Sequence, residues 1–198
     1  MKETKSEVHP FEAYIPANTN YLLLGSFPCK NKEGDYGQWF YCGSGKSLFW
    51  SLLEKVYQTD LQSISAKKQL FQTFGIAITD IAKEIQRKSE DRKLFCKDLN
   101  LDIVKFNTDE ISKIIEKKTI KRIYFTSQYV ENVFRKQIEP IISVKNIKTI
   151  TLLSPSPIAA LAYSTRQDVM EFLKEQPGKR IKDFIFNQYK TELPTNPA

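Results

Sequence analysis

Residues able to bind a flat ligand follow the first apolar run of the chain. The run Tyr21–Leu24 ends in a turn formed by Gly25, Ser26, Phe27 and Pro28. Because Gly25 has no side chain, the backbone can approach a ligand there, and Phe27 offers an aromatic face for stacking. Taken alone, the turn is better explained as a strand end whose Phe27 belongs to the core.

A second group of aromatic residues flanks the start of a predicted helix. Phe40 and Tyr41 precede a polar loop, while Phe49 and Trp50 follow Ser47 at the beginning of the helix. Large aromatic side chains of this kind are more often core residues than ligand-binding residues. A functional interpretation of this group therefore depends on the rest of the chain.

The third segment is a loop stiffened by two prolines. Ser154, Pro155, Ser156 and Pro157 follow a predicted strand and precede the apolar Ile158. Prolines pre-order such a loop, so that its hydroxyl and backbone N–H groups can bind phosphates. An apolar side chain beyond it can wedge into a stack of bases. The alternative is an ordinary proline-rich turn.

The glycines near position 45 do not form a nucleotide-binding P-loop. That motif requires a glycine at position 40, where Phe40 stands, and a strand directly before the loop. The segment Gly43–Ser47 satisfies neither requirement. A basic loop without phosphate-binding function is the favoured interpretation.

The composition predicts one globular domain over residues 1–198, with frayed ends at about 1–8 and 192–198. Thirty Lys and Arg against 23 Asp and Glu give a net charge of +7, which hints at a polyanionic partner. No apolar stretch is long enough to span a membrane, and the N-terminus does not resemble a signal peptide. We therefore expect a cytoplasmic monomer without membrane contact.

Cysteine and histidine are too sparse for a metal centre or a disulfide framework. Cys29, Cys42 and Cys96 are scattered, and His9 is the only histidine. An odd number of separated cysteines favours a reducing compartment. We expect no metal and no cofactor, and any catalytic pair that uses histidine must use His9.

Hydrophobic periodicity predicts alternating strands and helices, and hence a three-layer α/β/α sandwich around a four-stranded, mostly parallel sheet. The predicted strands are Tyr21–Gly25, Ile76–Ile78, Arg122–Thr126 and Ile147–Leu153. Helices are predicted from Phe49 to Tyr57, from Ala66 to Phe74 with Gly75 as its cap, from Asn107 through Ile115, around Tyr129–Phe134, after a cap formed by Ser164 and Gln167, and over Ile181–Tyr189. The charged stretch Lys83–Lys97 is predicted as a loop with a short helix.

In this order and at these strand ends, the three segments resemble the uracil-DNA glycosylase superfamily. The turn at Gly25 resembles the family's G-x-x-P motif, the aromatic group its Y…N-x-F-W region, and Leu152–Pro157 its L-P-S-x-S-P loop. The Gly-Ser-Phe-Pro form of the turn and the segment Gly75–Ile81 are most similar to the hypoxanthine and mismatch-specific branches. The resemblance extends from Leu22 to Met170.

The resemblance implies an enzyme that flips a deaminated base out of DNA and hydrolyses its N-glycosidic bond. It assigns the flipped base to Gly25, Ser26, Phe27, Pro28, Tyr41, Phe49, Trp50 and Asp80. It assigns the DNA strand to Ser154, Pro155, Ser156, Pro157 and Ile158.

One position departs from the family pattern. Ser47 stands where the family's N-x-F-W segment carries a catalytic Asn, and a hydroxyl is a poor substitute for an amide that positions water. Asp35, Tyr41 or Asp80 are the other residues expected to supply this group. The alternative function is a non-catalytic nucleic-acid or nucleotide-binding protein on the same fold.

Overall fold

A four-stranded parallel sheet forms the centre of the protein. The computed structural model describes residues 6–31, 33–43, 47–89, 91, 94, 96–117, 119–142 and 147–198. In chain order the strands are β1 (Glu7–Val8), β2 (Tyr21–Gly25), β3 (Ile76–Asp80), β4 (Ala82–Arg87), β5 (Leu101–Phe106), β6 (Arg122–Phe125) and β7 (Lys148–Thr151). The helices are α1 (Phe49–Tyr57), α2 (Ile64–Phe74), α3 (Thr108–Lys117), α4 (Gln128–Val133), α5 (Pro157–Tyr163), α6 (Gln167–Glu175) and α7 (Ile181–Glu192).

The central sheet has the order β3-β2-β6-β7, and every neighbouring pair in it is parallel. Alternate residues of its buried strands face opposite sides. Leu23 belongs to the core formed with α1, α2 and α7, whereas Leu22 and Leu24 belong to the core formed with α3 and α4. The sheet is thus buried on both faces, as apolar parallel strands require. The predicted three-layer architecture is confirmed.

A second, antiparallel sheet was not predicted. It has the order β1-β4-β5, and it occupies much of the stretch that was expected to be a loop with a short helix. The pattern in β4 is obscured because a buried charged residue, Arg87, takes an apolar position and pairs with Glu7 of β1 at 2.9 Å. A register shift near Glu84 interrupts the alternation further. The partner of Arg87 is distant in sequence, so no local pattern reveals this strand.

The cap predicted for the end of α2 is confirmed, whereas the cap predicted for the start of α6 is not. Gly75 caps α2 in the left-handed conformation, with φ of 62°, as predicted. The predicted Ser164 cap is wrong, because Arg166 is the residue that precedes α6. The hydroxyl of Ser164 instead donates to the carbonyl of Leu161, at the end of the unpredicted α5.

Both ends of the described chain are held more firmly than predicted. Glu7 lies in β1 and pairs with Arg87, while Leu193 is 5% exposed and the Ala198 N–H donates to the Thr73 carbonyl at 2.9 Å. Burial of Leu193 in the core beside α7 supplies the contacts that a frayed tail lacks.

Two of the three cysteines are joined, contrary to the expectation from their spacing. Cys29 and Cys96 form a disulfide with a Cα–Cα distance of 5.2 Å, and Cys42 is free. Their separation of 67 residues hides the pairing in the sequence, because Cys29 follows β2 whereas Cys96 lies in the connection between β4 and β5. No helix within the described ranges is both long enough and apolar enough to cross a membrane.

Candidate functional site

Polar residues converge where β2, β3 and β6 end. Gly25, the last residue of β2, stands beside Asp80, the last residue of β3. Ser26 follows β2, and Ser127 lies two residues beyond the end of β6. Ligands of open parallel sheets bind beyond the carboxyl ends of the strands. This edge is therefore the candidate site.

The carboxylate of Asp80 is the buried centre of the site. Its residue is 0% exposed, and two side chains bind its two oxygens. The Tyr41 hydroxyl donates to Oδ1 at 2.6 Å, and His9 Nε2–H donates to Oδ2 at 2.9 Å. The other ring nitrogen of His9 lies 2.7 Å from the carbonyl oxygen of Phe11. Both donors fix Asp80, so its charge is held in one place.

Tyr41 reaches Asp80 through an uncommon backbone conformation. Its φ is 58°, in the left-handed region that non-glycine residues rarely adopt. A methyl group at Gly25 would overlap the Tyr41 hydroxyl, so the absence of a side chain at Gly25 makes the contact with Asp80 possible. Burial, followed by the charge of Asp80, raises the pKa of Tyr41 well above its ordinary value. The hydroxyl therefore keeps its proton and remains a donor at neutral pH.

A second carboxyl group, that of Asp98, faces the same edge. It lies on the short helical turn Asp98–Asn100 before β5, and it accepts a hydrogen bond from the Ser26 hydroxyl at 2.6 Å. Burial raises the pKa of Asp98, and the charge of Asp80 acts in the same direction, against hydrogen bonds from Ser26 and Ser127. Two carboxyl groups in different environments thus lie at one site, an arrangement that is typical of acid–base catalysis.

The predicted stacking residue lies in the core. Phe27 is 7% exposed and packs in a small cluster with residues of β4 and β5, its ring edge-on to His9 at 5.2 Å. Pro28 is also buried and lines a narrow cleft that includes Asp98 and Leu101. Stacking of a base on Phe27 therefore requires the ring to be uncovered.

Phe49 and Trp50 belong to the core cluster against which Tyr41 packs. Phe49 is buried, and its ring lies edge-on to that of Tyr41 at 4.9 Å. The Trp50 indole N–H donates to the Phe40 carbonyl at 2.7 Å, and its ring stacks on Trp39. Their contacts are those of core residues that support Tyr41.

Ser47 lies two residues before α1, and its hydroxyl accepts the N–H of Phe49 at 3.3 Å. The adjacent Leu48 N–H donates to the carbonyl of Pro155 at 3.2 Å, so the start of α1 lies against the proline-stiffened loop. Among the hydrogen bonds of the described residues, none joins Ser47 to Asp80 or Tyr41.

Hydrogen bonds to neighbouring side chains order the loop that contains Ser154. The Ser154 N–H donates to the Tyr163 hydroxyl at 2.7 Å, and the Ser156 N–H donates to Ser154 Oγ at 3.3 Å. The helix α5 begins directly afterwards at Pro157. The side chains of Pro157 and Ile158 lie outside the described residues, as do residues 44–46 of the loop before Ser47.

Sequence reasoning named some members of the site and missed others. Asp80 and Tyr41 are brought together, whereas Asp35 is exposed and accepts the N–H of Gly37 within a turn. His9 and Asp98 were missed as site residues. The single histidine of the chain was a usable signal for His9, but Asp98 lies in an irregular segment that carries none.

A larger cavity than the cleft at Asp98 lies elsewhere in the described part of the chain. It has a volume of about 330 Å³ and no charged residue in its lining, which consists of Tyr57, Thr59, Ala66, Gln69, Leu70, Thr73 and Phe74. All of these residues come from α1, α2 and the link between them. The strand edge, which brings two carboxyl groups and a histidine together, is therefore the better candidate for a catalytic site.

The fold, but no recognisable sequence family, links the chain to known proteins. No protein-family model matches it, and no curated protein matches it either. A solution NMR structure from Methanosarcina acetivorans, described as a candidate uracil DNA glycosylase, is similar in fold with a TM-score of 0.53. The match has 17% sequence identity and covers 92% of this chain and 96% of that one. The chain therefore shares the uracil-DNA glycosylase-like fold.

Proposed function

We propose that this protein is a DNA glycosylase that flips uracil or hypoxanthine out of DNA and hydrolyses its N-glycosidic bond. The observation that carries the proposal is the fixed carboxylate of Asp80, bound by Tyr41 at the strand edge beside Gly25. The similarity in fold to a candidate uracil DNA glycosylase supports it. The proposal extends to the hypoxanthine and mismatch-specific branches that the Gly-Ser-Phe-Pro turn resembles.

The proposed chemistry needs charge and position more than a cofactor. Hydrolysis passes through a sugar with oxocarbenium character, and a fixed negative charge nearby stabilises it in a site shielded from water. Asp80 supplies that charge, and the backbone at Gly25 and Ser26 is placed to contact the flipped base. Extruding a base costs a few kcal/mol and is easiest for mispaired or damaged bases, which gives part of the selectivity.

The proline-stiffened loop is proposed to hold the DNA strand. The loop 154–156 is partly exposed, and its backbone is ordered before any ligand binds. A pre-ordered loop loses little conformational entropy on binding. A net charge of +7 favours a polyanionic partner. We propose that the protein acts as a monomer.

We propose a cytoplasmic location, which no longer follows from the cysteines. It rested in part on unpaired cysteines, whereas Cys29 and Cys96 form a disulfide. Disulfides are uncommon in reducing compartments, where they are mostly redox-sensing or catalytic.

The direct test is excision from DNA duplexes that carry a single uracil, hypoxanthine or xanthine. Cleavage of the strand by alkali after incubation would report the abasic site that excision leaves. The matched duplex without the altered base is the control. Excision of at least one altered base is expected, and no excision of any of them would refute the enzymatic function.

A non-catalytic DNA-binding protein is the second candidate, because Ser47 replaces the family's Asn and Phe27 is buried. Binding of the altered duplexes without excision would favour it. In that case Ser47→Asn tests whether the amide restores excision, since an amide both accepts from water and donates elsewhere. Excision by the variant alone would identify a degenerate glycosylase.

A further inference from the structure

The proposed hydrolysis requires a group that holds the attacking water, and Asp80 is poorly placed for it. Asp80 is completely buried, and Tyr41 and His9 each occupy one of its oxygens. Because no part of Asp80 is exposed, a water molecule from solvent does not reach its carboxylate. Asp80 therefore acts as a fixed charge, and another residue must contact the water.

Asp98 is the carboxyl group of the site that is not completely buried. It is half-buried, and it lines the narrow cleft at the strand edge together with Arg87 and Lys97. The Ser26 hydroxyl orients the carboxyl by donating to Oδ1. Asp98 thus combines a fixed orientation with partial exposure, which a water-binding catalytic residue needs.

The position of Asp98 in the fold also suits this role. The turn that carries it lies in the connection between β4 and β5, and its hydrogen bond from Ser26 joins it to the turn after β2, where the flipped base is proposed to bind. The titratable groups that act on it from the neighbouring elements are Asp80, Tyr41 and Tyr129. Burial and the charges of Asp98 and Asp102 raise the pKa of Tyr129 to about 12, so this hydroxyl stays protonated beside the carboxylate.

We propose that Asp98 is the catalytic residue that holds and deprotonates the attacking water, an inference that rests on the proposed glycosylase function. The water oxygen forms a bond to C1′ of the sugar while the bond from C1′ to the base nitrogen breaks. The electron pair of that bond leaves with the base. One water proton passes to the Asp98 carboxylate and from there to solvent or to the released base, which restores the carboxylate.

The test compares single-turnover excision by the wild type and by Asp98→Asn. The asparagine keeps the size of the side chain and an oxygen that can accept from Ser26, but it cannot take a proton. Loss of a general base lowers rates about 10²–10⁴-fold, so we expect a reduction of at least about 100-fold with unchanged DNA affinity. Asp102→Asn is the matched control, because Asp102 is an exposed carboxylate on the adjacent strand β5.

The pH profile separates a catalytic role from a structural one. The wild-type rate should fall at low pH as the Asp98 carboxylate takes up a proton, at a pH above the ordinary value of 3.8 for this side chain. Asp98→Asn should lose this acidic limb, while Asp102→Asn keeps it. A merely structural role of Asp98 would lower the rate at every pH and leave the limb in place.

The remaining outcomes distinguish this inference from the function on which it rests. Excision by the wild type that Asp98→Asn retains would overturn the role of Asp98 and leave the glycosylase function standing. The same holds if Ser47→Ala abolishes excision and Asp98→Asn does not, because Ser47 would then hold the water. Absence of excision by the wild type on all altered duplexes would overturn both.

Discussion

At the scale of single residues, the hydrogen bond from the Tyr41 hydroxyl holds the Asp80 carboxylate in place. Tyr41 holds a left-handed backbone at this position and Gly25 leaves room for its hydroxyl. Strained backbone of this kind persists only where the surrounding structure holds it, and it clusters at functional sites.

Tyr41→Phe should therefore impair both stability and excision. A buried carboxylate that loses a donor destabilises the fold by about 1–3 kcal/mol, and the charge that Asp80 presents is then less firmly fixed. Tyr57→Phe is the control, because its hydroxyl donates to the Pro194 carbonyl at 3.1 Å, away from the strand edge. Urea unfolding and excision rates of both variants check the prediction. Equal effects of the two variants on excision would contradict it.

The stability of the protein should fall with rising pH through the titration of Asp98. Its folded pKa is raised above the ordinary 3.8, so the folded state binds its proton more tightly than the unfolded chain does. The resulting stability is complete below 3.8 and is lost as the pH rises through the folded value. Asp98→Asn should thus raise the free energy of unfolding at neutral pH, and the difference from the wild type should vanish in acid.

Asp168→Asn provides the opposite case. A hydrogen bond from Arg166 lowers the pKa of the exposed Asp168, so its stabilisation is present above 3.8 and is lost as the pH falls through the lower folded value. Removing it should reduce stability at neutral pH by a small amount, because solvent screens an exposed pair. Urea titrations between pH 3 and pH 8 would show the two signs, and a less stable Asp98→Asn at pH 7 would contradict the prediction.

At the scale of elements, the end of α2 depends on Gly75. Its left-handed φ is unfavourable for other residues by about 1–2 kcal/mol, and a Cβ there would lie only 2.5 Å from the Asn18 carbonyl oxygen. We expect Gly75→Ala to lower the free energy of unfolding by about 2–5 kcal/mol, the sum of backbone strain and overpacking.

Gly178→Ala isolates the first of these effects. Gly178 also has a positive φ, 89°, but nothing lies within 4 Å of a Cβ built on it. This variant should lose only about 1–2 kcal/mol. Chemical denaturation of both variants tests the comparison, and similar losses would show that the approach of Asn18 to α2 is easily relieved.

Which elements could be predicted depended on whether their signal is local. Apolar runs mark the parallel strands and Gly75 marks the end of α2, so the central sheet could be predicted from the sequence. The strand β4 could not be predicted, because its buried Arg87 is accommodated through an ion pair with Glu7, which lies 80 residues away in the sequence. The same holds for the site residues. Gly25 and Asp80 lie at the ends of predictable strands, whereas Asp98 lies between β4 and β5, the strands of the sheet that was not predicted.

At the scale of the whole molecule, the excess of positive charge predicts salt-dependent binding to DNA. Each contact between a basic side chain and a phosphate releases counterions, so the logarithm of the affinity should fall by ~0.9 per contact for each tenfold rise in salt. Fluorescence anisotropy with a labelled duplex at several salt concentrations gives the slope. An affinity that does not change with salt would point to a small ligand instead of nucleic acid.

The bond between Cys29 and Cys96 turns a third of the chain into a covalent ring. The two ends of that ring adjoin the turn that carries Ser26 and the turn that carries Asp98, so the ring closes beside the proposed catalytic water. In the chain-entropy description, a ring of 67 residues disfavours the unfolded state by roughly 4 kcal/mol. A dithiol reductant should therefore lower the melting temperature of the wild type, but not that of Cys29→Ser. If reduction also slowed excision before the protein melted, the ring would tie the redox state of the surroundings to the geometry of the site.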